Sequence, residues 1–379
     1  MCCCCACITV CHPEPKQSPN RSSVGMKTRG TATSTDVARE ARVSRATVSR
    51  CFSDPETVRI VTRERVMAAA RDLGYEPNLV ARMLQTRTSD MIAVLTADFA
   101  NPFQPALVEA LTGGLTAMGK MPLLLKSDIS PMAADQLVQV ALAYRVAAVI
   151  VTVLPVSDAA IRRCFEANTP LILLNRVSED SRAISVCGDL KSGAIRAADV
   201  VVEGGHRRIS MITGTVGRWT TLMRRGGFRH RLDEHGLDIL SQQCGDYTYA
   251  GGYHAALQIM DEAPTTDVIY ANNDAMACGA MDALRQKLGL RVPDDVAVIG
   301  FDDMPMSAWE SYSLSTIHQP INRLISRVCD IVNLPDRGLS LSGEITLETC
   351  RYVQRRSTRA VTLRVGDLDE REFLNGAKI

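Results

Sequence analysis

The stretch Thr35–Arg50, TDVAREARVSRATVSR, decides how the rest of the chain is read. Thr33, Ser34 or Thr35 can cap a first helix, and Asp36 falls in its first turn, near the positive end of the helix dipole. Val37, Ala38 and Ala41 make a short apolar stripe. Beyond Arg42 and Val43, Ser44 suits the N-cap of a second helix over Arg45–Phe52. Its face Ala46, Thr47, Val48 packs partly inward, leaving Arg45, Ala46, Ser49 and Arg50 outward. Two helices with so short a break have the form of a helix-turn-helix, whose second helix lies in the DNA major groove. Taken alone, such a pair suits any helical bundle.

Working outward, SDPETVR reads as a loop. VTRERVMAAARDLGY reads as a third helix, with Thr62 as N-cap, Val66, Ala69, Ala70 and Leu73 inward, and Gly74 at its end. With the continuation EPNLVARMLQTRTSD the pattern becomes specific. DVA, VSRATVSR, TRERV, LGYEPN and VARML, in this order and spacing, resemble the DNA-binding head and hinge of the lactose-repressor (LacI/GalR) family of bacterial transcription regulators. The turn residue, usually Gly in that family, is Arg42 here, which can adopt a left-handed conformation at some cost. The resemblance implies that Asn78–Gln85 is a hinge helix ordered on DNA, with Leu84 wedged into the minor groove. The DNA contacts expected are Thr35, Ser44, Arg45, Ala46, Thr47, Ser49 and Arg50 from the head, and Asn78, Arg82 and Leu84 from the hinge.

From Met91 short aliphatic strands alternate with helices. MIAVLTA, MPLLLKS, AAVIVTV and PLILLN form one series; after a break at Ala183–Val186 come RISMIT, DVIYA and VAVIGFD. Such alternation predicts two doubly wound lobes of parallel strands, with a cleft at the strands' carboxyl ends. The same family is similar here too, through its type I periplasmic-binding-protein core, and the likeness spans Thr33 to about Thr358. The domains expected are a tail or over-extended start (1–25), a helix-turn-helix head (26–77), a hinge and linker (78–88), a two-lobed core for effector binding and dimerisation (89–358) and a C-terminal tail (359–379).

Polar residues just past strand ends are the natural cleft lining. Asp98, Phe103, Asn175, Arg176, Asp189, Asn273, Asp274 and Asp302 stand at such places, Asp303 beside the last. By motif position the resemblance implies that Phe103 is a wall, that Arg224 in RRGGF holds the effector, that Tyr247 stacks on it and that Asp274 accepts from its hydroxyls. WTTLM departs from the serine-rich run usual before that arginine, so Trp219 either narrows the pocket or packs outside it.

The remaining features narrow the function class. Net charge is +1, but Met26–Thr88 holds twelve Lys/Arg against seven Asp/Glu, a modest basic footprint that suits phosphate contacts. Aromatic residues are 4%, which argues against a single-strand stacking protein. Six of the thirteen cysteines crowd the first eleven residues without metal-ligand spacing; Cys51, Cys164, Cys187, Cys244, Cys278, Cys329 and Cys350 read as reduced core residues. No apolar run reaches the ~20 residues of a membrane helix. His206 in GHRRI sits at a helix-to-strand corner and reads as structural. GTVG lacks the third glycine of a dinucleotide fingerprint, and no activated nucleophile, phosphate loop or metal constellation appears, so neither an enzyme, a cofactor nor a metal is expected. The resemblance implies a cytoplasmic homodimer that binds a palindromic operator as a repressor and answers to a sugar or sugar acid. The rival, a solute-binding protein on the same core, would need a signal peptide and no helix-turn-helix.

Overall fold

The computed structural model describes residues 32–76, 89–97, 99–128, 130–152 and 155–361. The chain divides into two compact units, Met1–Thr86 and Arg87–Ile379.

In the first unit, α1 (Ser34–Glu40), α2 (Arg45–Ser53) and α3 (Ile60–Leu73) close on one small core. Thr33 caps α1 in a reciprocal box with Asp36, and the Ser44 hydroxyl accepts from Thr47 N at the start of α2. Val37, Ala38, Ala41, Val48, Cys51, Val66, Ala69 and Ala70 are buried together, with Phe52 and Tyr75 edge to face at 5.8 Å on the rim. The helix pair is therefore held by small side chains and two local caps, each cap being worth about 1 kcal/mol.

Arg42 takes the left-handed turn with φ +50°. That conformation costs a side-chain-bearing residue ~1–2 kcal/mol, against ~0.5–1 kcal/mol for the extra unfolded-state freedom of glycine. Arg42→Gly should accordingly raise the stability of this unit by about 0.5–1 kcal/mol, readable as a higher urea midpoint; a lower midpoint would show that the arginine side chain itself stabilises the turn. Two sequence expectations are corrected. The third helix begins at Ile60 after Arg59 rather than after Thr62, and Leu73 is 38% exposed rather than inward. Gly74, at φ +60°, ends that helix as its chemistry requires.

The second unit carries two sheets. The first is ordered β11-β5-β4-β3-β1-β2, from β1 (Met91–Thr96), β2 (Met121–Lys126), β3 (Ala148–Val151), β4 (Leu171–Leu174), β5 (Ala183–Gly188) and β11 (Ile345–Glu348), all parallel. The second is ordered β12-β10-β9-β8-β6-β7, from β6 (Ile209–Thr213), β7 (Ile239–Cys244), β8 (Val268–Ala271), β9 (Ala297–Asp302), β10 (Ser315–His318) and β12 (Arg351–Val353). Its pairs are parallel except β12, which runs antiparallel to β10. Central strands such as LILL and AVIGFD are buried at every position, as strands covered on both faces must be. The edge strands β2 and β7 alternate with exposed positions.

Helices α4 (Phe103–Ala117), α5 (Pro131–Ala143) and α6 (Asp158–Glu166) join strands of the first sheet. Likewise α7 (Leu190–Glu203), α8 (Trp219–Glu234), α9 (Tyr249–Glu262) and α10 (Asp274–Asp282) serve the second. The supposed break at Ala183–Val186 is strand β5, so it belongs to the first sheet. A final helix, α11 (Ile321–Asn333), returns to the first lobe, where Leu324, Ile325, Val328 and Ile331 pack with Leu107, Leu111 and Leu115 of α4.

The chain thus passes between lobes three times: at Gly188–Leu190, at Gln319–Pro320 and at Thr349–Cys350. These passages lie side by side. Asp189 N donates to Glu348 O at 2.8 Å, and a Cβ on Gly188 would meet Cys350 Sγ and Gln319 Oε1 at 3.1 Å each. Of the seven cysteines expected in the core, Cys244 is exposed on an edge strand and Cys329 half-buried; the other five are buried. Among the described residues no helix is long and apolar enough to cross a membrane, and no group of three or more His, Cys, Asp or Glu could hold a metal.

Candidate functional site

The first unit presents one outward polar face on α2. Ser44, Arg45, Ala46, Ser49 and Arg50 are exposed there, and Val48 and Cys51 anchor the opposite side. Thr47 is half-buried, its hydroxyl 2.9 Å from that of Ser44, so one surface hydroxyl pair sits where the helix begins. Thr35, on α1, is exposed too. Two guanidinium groups, small side chains and a helix N-terminus together can reach base edges and phosphates of a duplex. Asn78, Arg82 and Leu84 lie outside the described residues, as does Asp98.

In the second unit a cavity of about 190 Å³ opens between the lobes. That is more than ten times the ~10–15 Å³ a single water needs, so the space suits a ligand of several heavy atoms. Its lining comes from the carboxyl ends of strands. Asn101, Phe103 and Gln104 follow β1, Thr152 follows β3, Asn175 and Arg176 follow β4; from the other lobe, Arg218, Trp219 and Arg224 follow β6, Tyr247 follows β7 and Asp302 ends β9. Of the ten sequence-predicted cleft residues, Phe103, Asn175, Arg176, Arg224, Tyr247 and Asp302 come together here. Trp219 is at the wall, which settles its two alternatives in favour of the pocket.

Three expected residues stand elsewhere. Asp189 is spent as the cap of α7, accepting from Ser192 N at 3.0 Å. Asn273 caps α10 through Met276 N and donates to Tyr247 O. Asp274 is fully buried and takes three donors, Met304 N at 2.8 Å, Ser307 Oγ at 2.6 Å and Thr316 Oγ1 at 2.5 Å. Its carboxyl ties α10 to the segments after β9 and within β10, and burial, reinforced by the charge of Asp302, pushes it up to about 7. Among the described residues, the carboxylate on the cavity is Asp302, one strand away.

Asp302 and Arg224 form a pair at 2.9 Å, 2% and 3% exposed. Gln319, from the second inter-lobe passage, donates to the same Asp302 oxygen at 2.7 Å. Arg224 also donates to Asn272 O and lies 4.1 Å above the Phe301 ring. Burial raises Asp302 above the usual carboxylate range, with Arg224 and Gln319 pulling it back. Tyr247 places its hydroxyl between those of Thr220 and Thr221, at 3.1 and 2.9 Å. Gly214 makes room for it, since a Cβ there would sit 2.0 Å from the ring. Asn175, Tyr247 and Asp302 hold φ of +62°, +60° and +118°, a strain that neighbouring structure must over-determine and that gathers at working sites.

Gln104 Oε1 and Arg224 Nε are buried at this cavity without a protein hydrogen-bond partner, and the side chain of Asn272, whose carbonyl Arg224 holds, is unpartnered as well. Sequence reasoning missed Asn101, Gln104, Thr152, Arg218 and Thr220. Their one signal was position just past a strand or in the first turn of a helix that follows one. His206, buried with Nδ1 3.3 Å from Asp267, packs under a helix end as expected, and burial lowers its pKa.

A helix-turn-helix unit followed by a two-lobed core with a polar cleft defines the ligand-responsive DNA-binding regulators. The sequence profile of bacterial regulatory proteins of the lacI family matches residues 33–78, and that of the periplasmic binding protein-like domain matches residues 198–358. The HTH-type transcriptional regulator GalS of Salmonella typhimurium is 33% identical over 288 residues, 76% of this chain and 84% of that protein. The crystal structure of the Lac repressor dimer bound to operator and the anti-inducer ONPF matches with a TM-score of 0.79 at 28% identity, covering 87% of this chain and 100% of that one. The complex of transcriptional regulator CelR with cellobiose matches with a TM-score of 0.65 at 28% identity over 86% of this chain and 99% of the other. The chain belongs to the lacI family of bacterial regulatory proteins and is a DNA-binding transcriptional regulator.

Proposed function

We propose that this regulator is a repressor that reads a palindromic operator as a homodimer and is released or recruited by a small polyhydroxylated effector, a sugar or sugar acid, bound between its lobes. The observation that carries the effector reading is the convergence of buried, unpartnered polar atoms, Gln104 Oε1 and Arg224 Nε, on a cavity lined from both lobes. Buried polar groups are nearly always satisfied, and a ligand rich in hydroxyls supplies donors and acceptors at once. Arg224 and Asp302 present a donor and an acceptor side by side, a pairing suited to vicinal hydroxyls.

Control requires that the effector favour one arrangement of the lobes. The passages between lobes pack together, and Gln319 on one of them grips Asp302, so a ligand that pulls on Asp302 also pulls on the joint. In support of the partner assignments, a Lac repressor dimer has been solved on its operator and CelR with cellobiose. A cytoplasmic location follows from that DNA-binding role.

In the head, Arg45, exposed beside Ser44, and Ser49 with Arg50 one turn on are the contacts proposed to read sequence. Arg45→Ala should narrow the ratio of specific to random-DNA binding by about tenfold, since a good bidentate base contact is worth roughly 1–3 kcal/mol. A gel shift on a duplex selected from a random pool, with salt held constant, checks this; an unaltered ratio would take Arg45 out of base recognition. The same assay, run with sugars and sugar acids alongside a thermal-shift screen, tests effector control. If no compound alters both the melting midpoint and DNA retention, the cavity is not an effector site.

A further inference from the structure

We propose that the effector is a single sugar ring, a monosaccharide in its pyranose form, stacked on the Trp219 indole, and that Trp219 sets this limit of size and shape; this rests on reading the cavity as an effector site. Among the described residues that line the cavity, three are aromatic: Phe103 from the first lobe, and Trp219 and Tyr247 from the second. Phe103 is 1% exposed and Tyr247 4%, whereas Trp219 is half-buried. The open aromatic surface of this lining is therefore that of Trp219.

Tyr247, which the family motif puts against the ligand, is committed elsewhere. Its hydroxyl sits between those of Thr220 and Thr221, Gly214 lies against its ring, and Arg218 lies over that ring at 5.8 Å. Trp219 is held differently. It is the first residue of α8, entered through Gly217 at φ +81°, and its side chain packs on the second-lobe core around Leu190, Phe228 and Tyr270. An indole packed on a core and bordering the cavity is a ready platform, so little side-chain freedom is lost when a ligand settles on it.

The shape of the site then selects among ligands. An aromatic ring carries negative charge on its faces, and the C–H groups gathered on one face of a pyranose are weakly positive, so the two stack. The same sugar carries hydroxyls around its edge, where the Arg224–Asp302 pair presents a donor and an acceptor. A flat nucleobase has two aromatic faces to cover, and the described lining offers one open aromatic surface. An open-chain polyol has no fixed face to offer. Size points the same way. A cavity of ~150 Å³ holds one benzene ring, so the 190 Å³ between these lobes fits one six-membered ring with its substituents and not two linked rings. A smaller side chain at the start of α8 would enlarge that space, which makes the indole both the platform and the stop.

Trp219 and Trp309 are the two tryptophans of the chain, and Trp309 is 59% exposed and outside the cavity lining. Full-length Trp309→Phe protein therefore reports on Trp219 through its fluorescence. Glucose, galactose, mannose and galacturonate are titrated into it beside the disaccharides cellobiose, lactose, mannobiose and digalacturonate, the open-chain glucitol and galactitol, and adenine. The melting midpoint is the second readout. At least one monosaccharide should shift Trp219 emission and raise the midpoint over the same saturable range, at concentrations where the disaccharides, polyols and adenine do neither. Trp219→Ala should weaken that sugar tenfold or more, and Trp219→Phe should recover part of the affinity. Trp219→Ala should also take the matching disaccharide more tightly than the native protein does, a gain that a merely damaged fold would not show. A disaccharide, polyol or adenine bound as tightly as the best monosaccharide, binding that leaves Trp219 emission unmoved, or unchanged affinity in Trp219→Ala overturns the proposal. Retention on the selected duplex separates the two levels. A compound that alters retention without affecting Trp219 leaves effector control standing and removes the stacked ring; a chain unmoved by the whole set removes both.

Discussion

Replacing Asp302 by Ala should lower the stability of the core by about 3–5 kcal/mol, the usual cost of stranding one member of a buried ion pair. Arg224 would remain 3% exposed with its charge unmatched, holding only the Asn272 carbonyl and the face of Phe301. Gln319 would lose its acceptor on the inter-lobe passage at the same stroke. For a unit of this size the melting midpoint should fall by on the order of 10 °C. The double variant Arg224→Met/Asp302→Leu discriminates the cause. With both charges gone, the desolvation cost disappears too, and the double variant should be more stable than Asp302→Ala alone. Stability no better than the single variant would mean that the pair's hydrogen bonds to Gln319 and Asn272, rather than its charges, hold the site. Either variant should abolish the effector response, because the paired donor and acceptor face the cavity.

The second large effect concerns Asp274, the carboxylate the sequence placed on the ligand and the structure places behind it. Asp274→Ala leaves Met304 N–H, Ser307 and Thr316 without their acceptor in a fully buried setting. The hydroxyls can turn to other acceptors, but a backbone N–H cannot, and each stranded group costs roughly 1–3 kcal/mol. A loss of about 3 kcal/mol in urea unfolding is expected. The same carboxyl should give the protein a pH dependence of unusual sign. Its folded-state pKa is near 7, against an ordinary value of 3.8, so the folded state binds its proton more tightly than the unfolded chain does. Its contribution is therefore complete below about pH 4 and lost as pH rises towards 7, by an amount on the order of 4 kcal/mol. Asp274→Asn has no proton to lose and should flatten stability over that interval relative to the native protein. Parallel pH profiles for the two proteins would refute the assignment.

These two carboxylates are coupled, since the charge of Asp302 is one of the influences raising Asp274. A ligand that binds Asp302 thus acts on a group that fastens α10 to β10 and to the segment after β9. Behind the cavity, the strained backbone at Asp302 is held by parallel strand pairing, His318 of β10 lying opposite it.

What the sequence determined by itself is what short-range physics decides. Thr33 and Ser44 begin helices and Gly74 ends one through bonds to neighbours three or four residues away, Arg42 stands in for a glycine in a turn, and aliphatic runs become strands buried on both faces. Family motifs then placed Arg224 and Tyr247 on the cleft. What only the tertiary structure decided is which side chains turn into it. Asn273 and Asp274 follow a strand just as Asn175 and Arg176 do, yet the first pair is used in capping α10 and binding Ser307 and Thr316, while the second lines the cavity. Asp302 reaches the space because φ of +118° turns it there, and Gln319 meets it from a passage seventeen residues on. The return of α11 and β11 to the first lobe was equally hidden. Periodicity reports that a segment has a buried face, and only long-range packing chooses which core receives it.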